Sequence, residues 1–402
     1  MTQVSAFQTF DMPKALNLSG LGQISDAFDF LDNVNFALLG KVYQDVAAYQ
    51  FTTDTTHLAA FGGTNFSFTN SVPVSGTVTG VALTEGSLAD GLGGQTLQTM
   101  ISGFSISAVE IATAVTSVST TDDAVVLGKI FAGADRFDLS EGNDVASGFA
   151  GNDKMFGNGG NDKLLGDDGN DVLSGGKGDD RLFGGAGNDV LDGGPGADFL
   201  HGGAGNDIVS YATATAGQTI DMALITAQTN GDTFVSIEGL IGSNFADTFT
   251  ATRVATSLFG MGGADKLVGG TRNDIISGGL GKDTLTGGAG VDTFRFDVAP
   301  TAANADLITD FLRATDKIGL SSSVFKGLTL LGAHGLDPSD FIRSATATAT
   351  SALDPNDHLI YNTTTGMLFY DADGAGGKAG VAIAQLGDTH HVILAATDFL
   401  II

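Results

Sequence analysis

Nine aspartates stand at a constant step of nine residues: Asp135, Asp144, Asp153, Asp162, Asp171, Asp180, Asp189, Asp198 and Asp207. Each follows a glycine by two places, from Gly133 to Gly205, and precedes an apolar side chain by two, from Phe137 to Val209. A second set keeps the step at Asp247, Asp265, Asp274, Asp283 and Asp292, with Thr256 in the one missing place. Carboxylates and the bare carbonyls of glycine turns are hard oxygen donors, which suit Ca²⁺ without any imidazole or thiolate. The chain has no Cys to offer in any case. Asp144, Asp153, Asp162, Asp171, Asp180, Asp189, Asp198, Asp207, Asp265, Asp274, Asp283 and Asp292 are therefore the candidate metal ligands.

The elements that must position them follow from the period. Nine fits neither a helix nor a plain meander. Six glycine-rich residues can make a tight turn, because Gly reaches positive φ at no steric cost. The other three make a short strand whose middle residue points inward. Two units close one coil of 18 residues, and stacked coils form two parallel sheets facing each other. One wall then holds Phe137, Met155, Leu173, Leu191 and Val209, and the other Ala146, Leu164, Leu182 and Leu200.

Energetics make the metal part of that fold. One modest buried side chain per unit is worth roughly 1.5–3 kcal/mol. Ordering the backbone costs roughly 1–2 kcal/mol for each residue. Stacking also sets aspartates of successive coils about 4.8 Å apart, where they repel by roughly 1–3 kcal/mol at an effective dielectric of about 20 to 80. A dication between the turns reverses that sign.

These residues resemble the RTX (repeats-in-toxin) nonapeptide, Gly-Gly-x-Gly-x-Asp-x-apolar-x. The resemblance implies an all-β fold: a parallel β-roll, a right-handed β-solenoid with several Ca²⁺ ions between turns. It implies ligands from the Asp carboxylates and from carbonyls of the glycine turns. Carried over, those glycines include Gly176, Gly178, Gly185, Gly187, Gly194, Gly196, Gly203 and Gly205. Asp135 and Asp144 lack the paired glycines upstream, and Thr271-Arg272 replaces a glycine before Asp274, so weaker sites are expected there.

Around the repeats the chain divides into 1–126, β-rich and of unassigned role; 127–211, a first roll block; 212–246, irregular wider coils; 247–296, a second block; and 297–402, a cap. Asp221 and Glu238 read as exposed strand positions. Asp306–Phe311, Asp316–Leu320 and the pair His358–Asn362 and Gly366–Gly374 resemble the cap that follows the β-roll in serralysin-type secreted proteins. A capped end is also a physical need, since an open solenoid exposes unpaired strand edges. Asp371-x-Asp373 opens like an EF-hand loop, but Ala382 stands where the twelfth-position Glu belongs, so a plain turn is expected.

With 46 acidic and 18 basic residues the chain carries a formal charge of -28, which repels nucleic acid and anionic membranes and draws cations. No transmembrane segment is read, because no apolar run reaches the roughly 18 residues of a spanning helix. Met1–Gly20 shows no basic segment followed by an apolar core, so an N-terminal signal peptide is not expected. The terminal Thr397-Asp398-Phe399-Leu400-Ile401-Ile402 resembles the uncleaved signal of type I secretion, which implies the ABC-transporter machinery as a partner and an extracellular location. Low calcium inside would leave the repeats unfolded for passage, and millimolar calcium outside would fold them.

Catalytic motifs are missing from the sequence. There is no His-Glu-x-x-His and no Gly-x-Ser-x-Gly, and Gly40-Lys41, Gly128-Lys129 and Gly281-Lys282 lack the Ser or Thr of a phosphate loop. None of His57, His201, His334, His358, His390 and His391 has a helix-spaced partner. The expectation is a non-catalytic calcium-binding protein at a cell surface or in a matrix, its partner a polysaccharide or protein there. The alternative is a secreted enzyme or membrane-active effector with its activity in the N-terminal region.

Overall fold

The computed structural model describes strands within residues 3–107 by their backbone, and residues 133–402 apart from 140, 224–227, 229, 252–255, 352–355, 375–377 and 388–391. The chain forms two compact units, Met1–Asp207 and Ile208–Ile402. His390 and His391 lie outside the described residues, as does the side chain of His57.

The first unit joins an antiparallel meander to a parallel roll. Ile24–Leu31, Asp45–Phe51, His57–Thr69, Val72–Glu85 and Thr96–Ser107 pair in sequence order. Between Ser25 and Tyr49, where the sequence pattern alone fits helix or strand, the described residues are strand: Ile24–Leu31, Phe36–Leu38, Lys41–Tyr43 and Asp45–Phe51. Gln3–Ala6 pairs antiparallel with Thr96–Ser107 and parallel with Arg136–Asp138, so it covers the first edge of the roll.

Beyond that edge the strands alternate between two columns. Arg136–Asp138, Lys154–Phe156, Val172–Ser174 and Val190–Asp192 make one. Val145–Ser147, Lys163–Asp168, Arg181–Ala186 and Phe199–Ala204 make the other. Every pairing is in register at a step of 18, so Phe137, Met155, Leu173 and Leu191 stack on one inner wall and Ala146, Leu164, Leu182 and Leu200 on the other. All eight are fully buried. After Val145–Ser147 the strands of the second column run six residues, because the first half of each turn stays paired, Asp167 with Gly185 and Asp168 with Ala186.

The second unit repeats the design with longer coils at its start. Val209 pairs with Leu240 and Ile220 with Phe249, and the column then proceeds through Leu258, Ile276, Phe294 and Ile318 on one wall. Leu267, Leu285 and Ile308 continue the other. The end is closed by sequence from far downstream: Val381–Leu386 lies parallel to Asp306–Ile308, and Phe399–Ile401 parallel to Lys317–Leu320. Met367–Tyr370 and Leu359–Asn362 extend the first of these antiparallel. Among the described residues, the helical turns are two short 3-10 segments, Pro338–Asp340 and Ala396–Asp398. Among the described residues no helix is long and apolar enough to cross a membrane.

Candidate metal centre

Every repeat aspartate is buried, none more than 2 % exposed, although each sits in a turn beside solvent-facing neighbours. One carboxylate oxygen is used by the fold itself. The backbone N–H of Asp153 donates to Asp171 Oδ1 at 2.7 Å, and that of Asp171 to Asp189 Oδ1 at 2.8 Å. The other column repeats this from Asp144 to Asp162 and onward to Asp180 and Asp198. Asp189 donates likewise to Asp207. In the second unit the same bond links Asp247 to Asp265, Asp265 to Asp283, Thr256 to Asp274 and Asp274 to Asp292. Glycine turns leave backbone donors that no strand can take up, and the carboxylate of the next coil satisfies one of them.

The second oxygen is the chemically telling one. Oδ2 of Asp153, Asp162, Asp171, Asp180, Asp189, Asp265, Asp283 and Asp292 is buried and accepts no hydrogen bond. An ionised oxygen without a partner is costly in the interior. Burial accordingly pushes Asp153, Asp162 and Asp265 up to about 7, and Asp189 and Asp292 to about 6, with neighbouring aspartates adding to the shift. A cation at the same place removes that penalty without a proton. Among the described residues no three His, Cys, Asp or Glu side chains converge into a cage. An ion between coils therefore draws the rest of its shell from backbone carbonyls, the oxygen-rich set Ca²⁺ accepts.

Glycine makes that approach possible. A Cβ on Gly184 would collide with Asp189 Oδ2 and lie 2.6 Å from the carbonyl of Gly202; one on Gly260 would meet Asp265 Oδ2 and Gly278 O. This place, five residues before the aspartate, is glycine at Gly148, Gly157, Gly166, Gly175, Gly184, Gly193 and Gly202, and at Gly242, Gly260, Gly269, Gly278 and Gly287. It is Ile130 before Asp135 and Leu139 before Asp144, at the start of the array, and Ala251 before Thr256, where no carboxylate needs the room. Of the glycines carried over from the resemblance, Gly176, Gly178, Gly185, Gly187, Gly194, Gly203 and Gly205 take positive φ, whereas Gly196 does not.

Three aspartates are built differently. Asp274 Oδ2 accepts the Gly270 N–H at 2.7 Å, and Asp247 Oδ2 accepts the N–H and hydroxyl of Ser243. Asp316 Oδ2 accepts the Leu312 N–H. These carboxylates need no cation to be satisfied. Asp221 is spent on its own turn, accepting from Ala223 N–H.

The sequence reading missed three features. The columns run on past the repeats, since Asp283 N–H donates to Asp306 Oδ1 and Asp292 N–H to Asp316 Oδ1, at separations of 23 and 24 that break the period. Burial pushes Asp306 up to about 8, with Asp283 beside it. A second ladder runs along the outside, where Asn188 N–H donates to Asn170 Oδ1 and Asn206 N–H to Asn188 Oδ1. The Asn that recurs directly before the Asp, at Asn143, Asn152, Asn161, Asn170, Asn188 and Asn206, was its signal. The glycine five places upstream, continuous from Gly148 to Gly202, was equally legible.

The remaining candidates are occupied structurally. His358 Nδ1 contacts Asp371 O at 2.7 Å and His334 Nδ1 contacts Ile401 O at 3.1 Å.

The family model described as RTX calcium-binding nonapeptide repeat (4 copies) matches residues 131–164, 156–191, 165–200, 183–211 and 259–294. No curated protein matches the chain. The matched stretches contain the eight aspartates named above, and several Ca²⁺ ions are the cofactor these repeats bind between turns.

Proposed function

Because the chain carries RTX calcium-binding nonapeptide repeats, we propose that it is a secreted, non-catalytic protein that folds on extracellular calcium and serves at a cell surface or in a matrix. The observation that carries this reading is the column of buried Oδ2 atoms with no hydrogen-bond donor. Such a column is costly without a cation, so folding waits for calcium and follows export. The Asp carboxylates together with turn carbonyls, those of Gly185, Gly187, Gly203 and Gly205 among them, would hold the ions. Calcium supplies charge and coordination there, and no chemistry on a substrate.

The C-terminus supports the same order of events. Asp398 and Phe399 are buried and Phe399–Ile401 is a paired strand of the fold. A signal in this segment is accessible to an ABC transporter only while the chain is unfolded. The test is expression beside a type I exporter, with and without deletion of Thr397–Ile402. The full chain is expected in the medium and the truncated chain in the cells. Retention of both sinks the secretion reading, and hydrolytic activity in the purified, calcium-loaded chain sinks the non-catalytic one.

A further inference from the structure

The outer surface of one sheet in the first unit gathers cations and rings. Register places Lys163, Arg181 and Phe199 in one row and Leu165, Phe183 and His201 in the next. Lys163 and Arg181 are exposed and the other four half-buried. Phe183 lies 5.6 Å from Phe199 and stacks on His201 at 6.0 Å. The Arg181 guanidinium sits 4.7 Å over the Phe199 ring, and Lys163 Nζ 5.7 Å over Phe183.

Cross-strand ring packing explains the aromatic residues. It does not explain two like charges set directly opposite, which destabilise a sheet. In a chain with 46 acidic residues, neither cation has a carboxylate partner among the described residues, where the ion pairs are Arg136–Asp138, Arg295–Asp297 and Arg313–Asp398. The other sheet of the same unit also sets two cations opposite, Arg136 and Lys154, with Arg136 over the Phe156 ring, but relieves that pair. There Arg136 is neutralised by Asp138 at 2.6 Å, and Ser174 and Asp192 take the places of Phe183 and His201.

We infer that this face binds an anionic polysaccharide of the uronic-acid type, an inference that deepens the surface-or-matrix reading above and rests on it. The rings offer an apolar platform for the C–H face of a sugar, and Arg181 and Lys163 offer donors to its carboxylates. Charge density favours this ligand over nucleic acid. A duplex carries one phosphate per about 1.7 Å, which a chain of net charge -28 repels before two cations can engage it. A uronan carries one carboxylate per sugar.

The test is isothermal titration of the full calcium-loaded chain with an oligoglucuronate, the matching neutral glucan and a DNA duplex. The oligoglucuronate is expected to bind in preference to both. Phe183→Ala/Phe199→Ala and Lys163→Gln/Arg181→Gln should each weaken it about tenfold, with calcium-dependent circular dichroism unchanged. If the alanine pair loses that dichroism, Phe183→Leu/Phe199→Leu is read in its place. Unchanged affinity in the variants, no binding by the parent chain, or preference for the duplex overturns the inference. Failure of export overturns the secretion reading alone and leaves this titration standing.

Discussion

The turns ending at Asp189 and at Asp274 begin with the same Gly-Gly pair and finish with different carboxylates. At Asp189 the backbone is left-handed at Gly185 and Gly187, and Oδ2 is left without a donor. At Asp274 the place of Gly187 belongs to Arg272, which avoids positive φ, and the Gly270 N–H turns onto Oδ2 instead. Phe245 holds the same place before Asp247, where Ser243 again satisfies the carboxylate. A non-glycine residue in the left-handed region costs roughly 1–2 kcal/mol. The glycine two places before the aspartate thus decides whether the turn requires a cation or satisfies itself, and the aspartate alone does not.

Calcium removal is the largest test of that difference. With chelator the roll is expected to lose its strand signal in far-ultraviolet circular dichroism, and Mg²⁺ should not restore it, because Mg²⁺ demands a tighter octahedral shell. Full strand content in chelator would mean that the unpartnered oxygens are satisfied some other way. Acid should act as a partial substitute. Asp153, Asp162 and Asp265 are raised by burial to about 7 in the fold, against an ordinary 3.8. A raised group stabilises the fold below its unfolded value and loses that contribution as pH rises through its folded value. Metal-free chain should therefore gain structure as pH is lowered from 8 toward 5, while protons compete with calcium and weaken its binding over the same range. A metal-free chain least structured at pH 5 contradicts this.

Exchanging one carboxylate for its amide separates the two kinds of turn. Asp189→Asn keeps an acceptor for the Asp171 N–H but removes the charge. It should lose calcium stoichiometry and about 2.7 kcal/mol of stability when calcium stands at about 100 times its dissociation constant. Asp274→Asn should leave stoichiometry alone and lose only the bond from Gly270, about 1 kcal/mol. Equal losses of metal, measured by equilibrium dialysis, would erase the distinction.

Glycine substitution probes the approach of the carboxylate. Gly184→Ala should cost about 1–3 kcal/mol by overpacking against Asp189 Oδ2. Ala251→Gly, before Thr256, should stay within about 1 kcal/mol. Equivalent thermal shifts would remove the steric account of the glycine column.

The walls of the roll were legible in the sequence because each repeat commits one apolar side chain to one wall, and a fixed period preserves that commitment. Leu173, Leu182 and Leu191 sit where the counting places them. Asp306 and Asp316 were not legible, because their coils are longer and a period cannot announce its own interruption. The closing strands Val381–Leu386 and Phe399–Ile401 come from 60 or more residues downstream of their partners, a pairing that no local pattern encodes. Nor could spacing show that Asp274 is satisfied by Gly270, since that depends on the handedness of a single backbone position.

Thr271→Ala/Arg272→Gly asks whether that one position is sufficient. The pair supplies the missing glycine, frees the turn to become left-handed and takes the Gly270 N–H away from Asp274. Lost hydrogen bonding of about 1 kcal/mol is offset by a new ion, so thermal stability in calcium should move little. Stoichiometry should rise by about one ion per chain, because Asp274 Oδ2 then stands as Asp265 and Asp283 Oδ2 do. An unchanged ion count with the fold intact would show that the second wall of each site, the carbonyls of the neighbouring coil, sets the need for calcium.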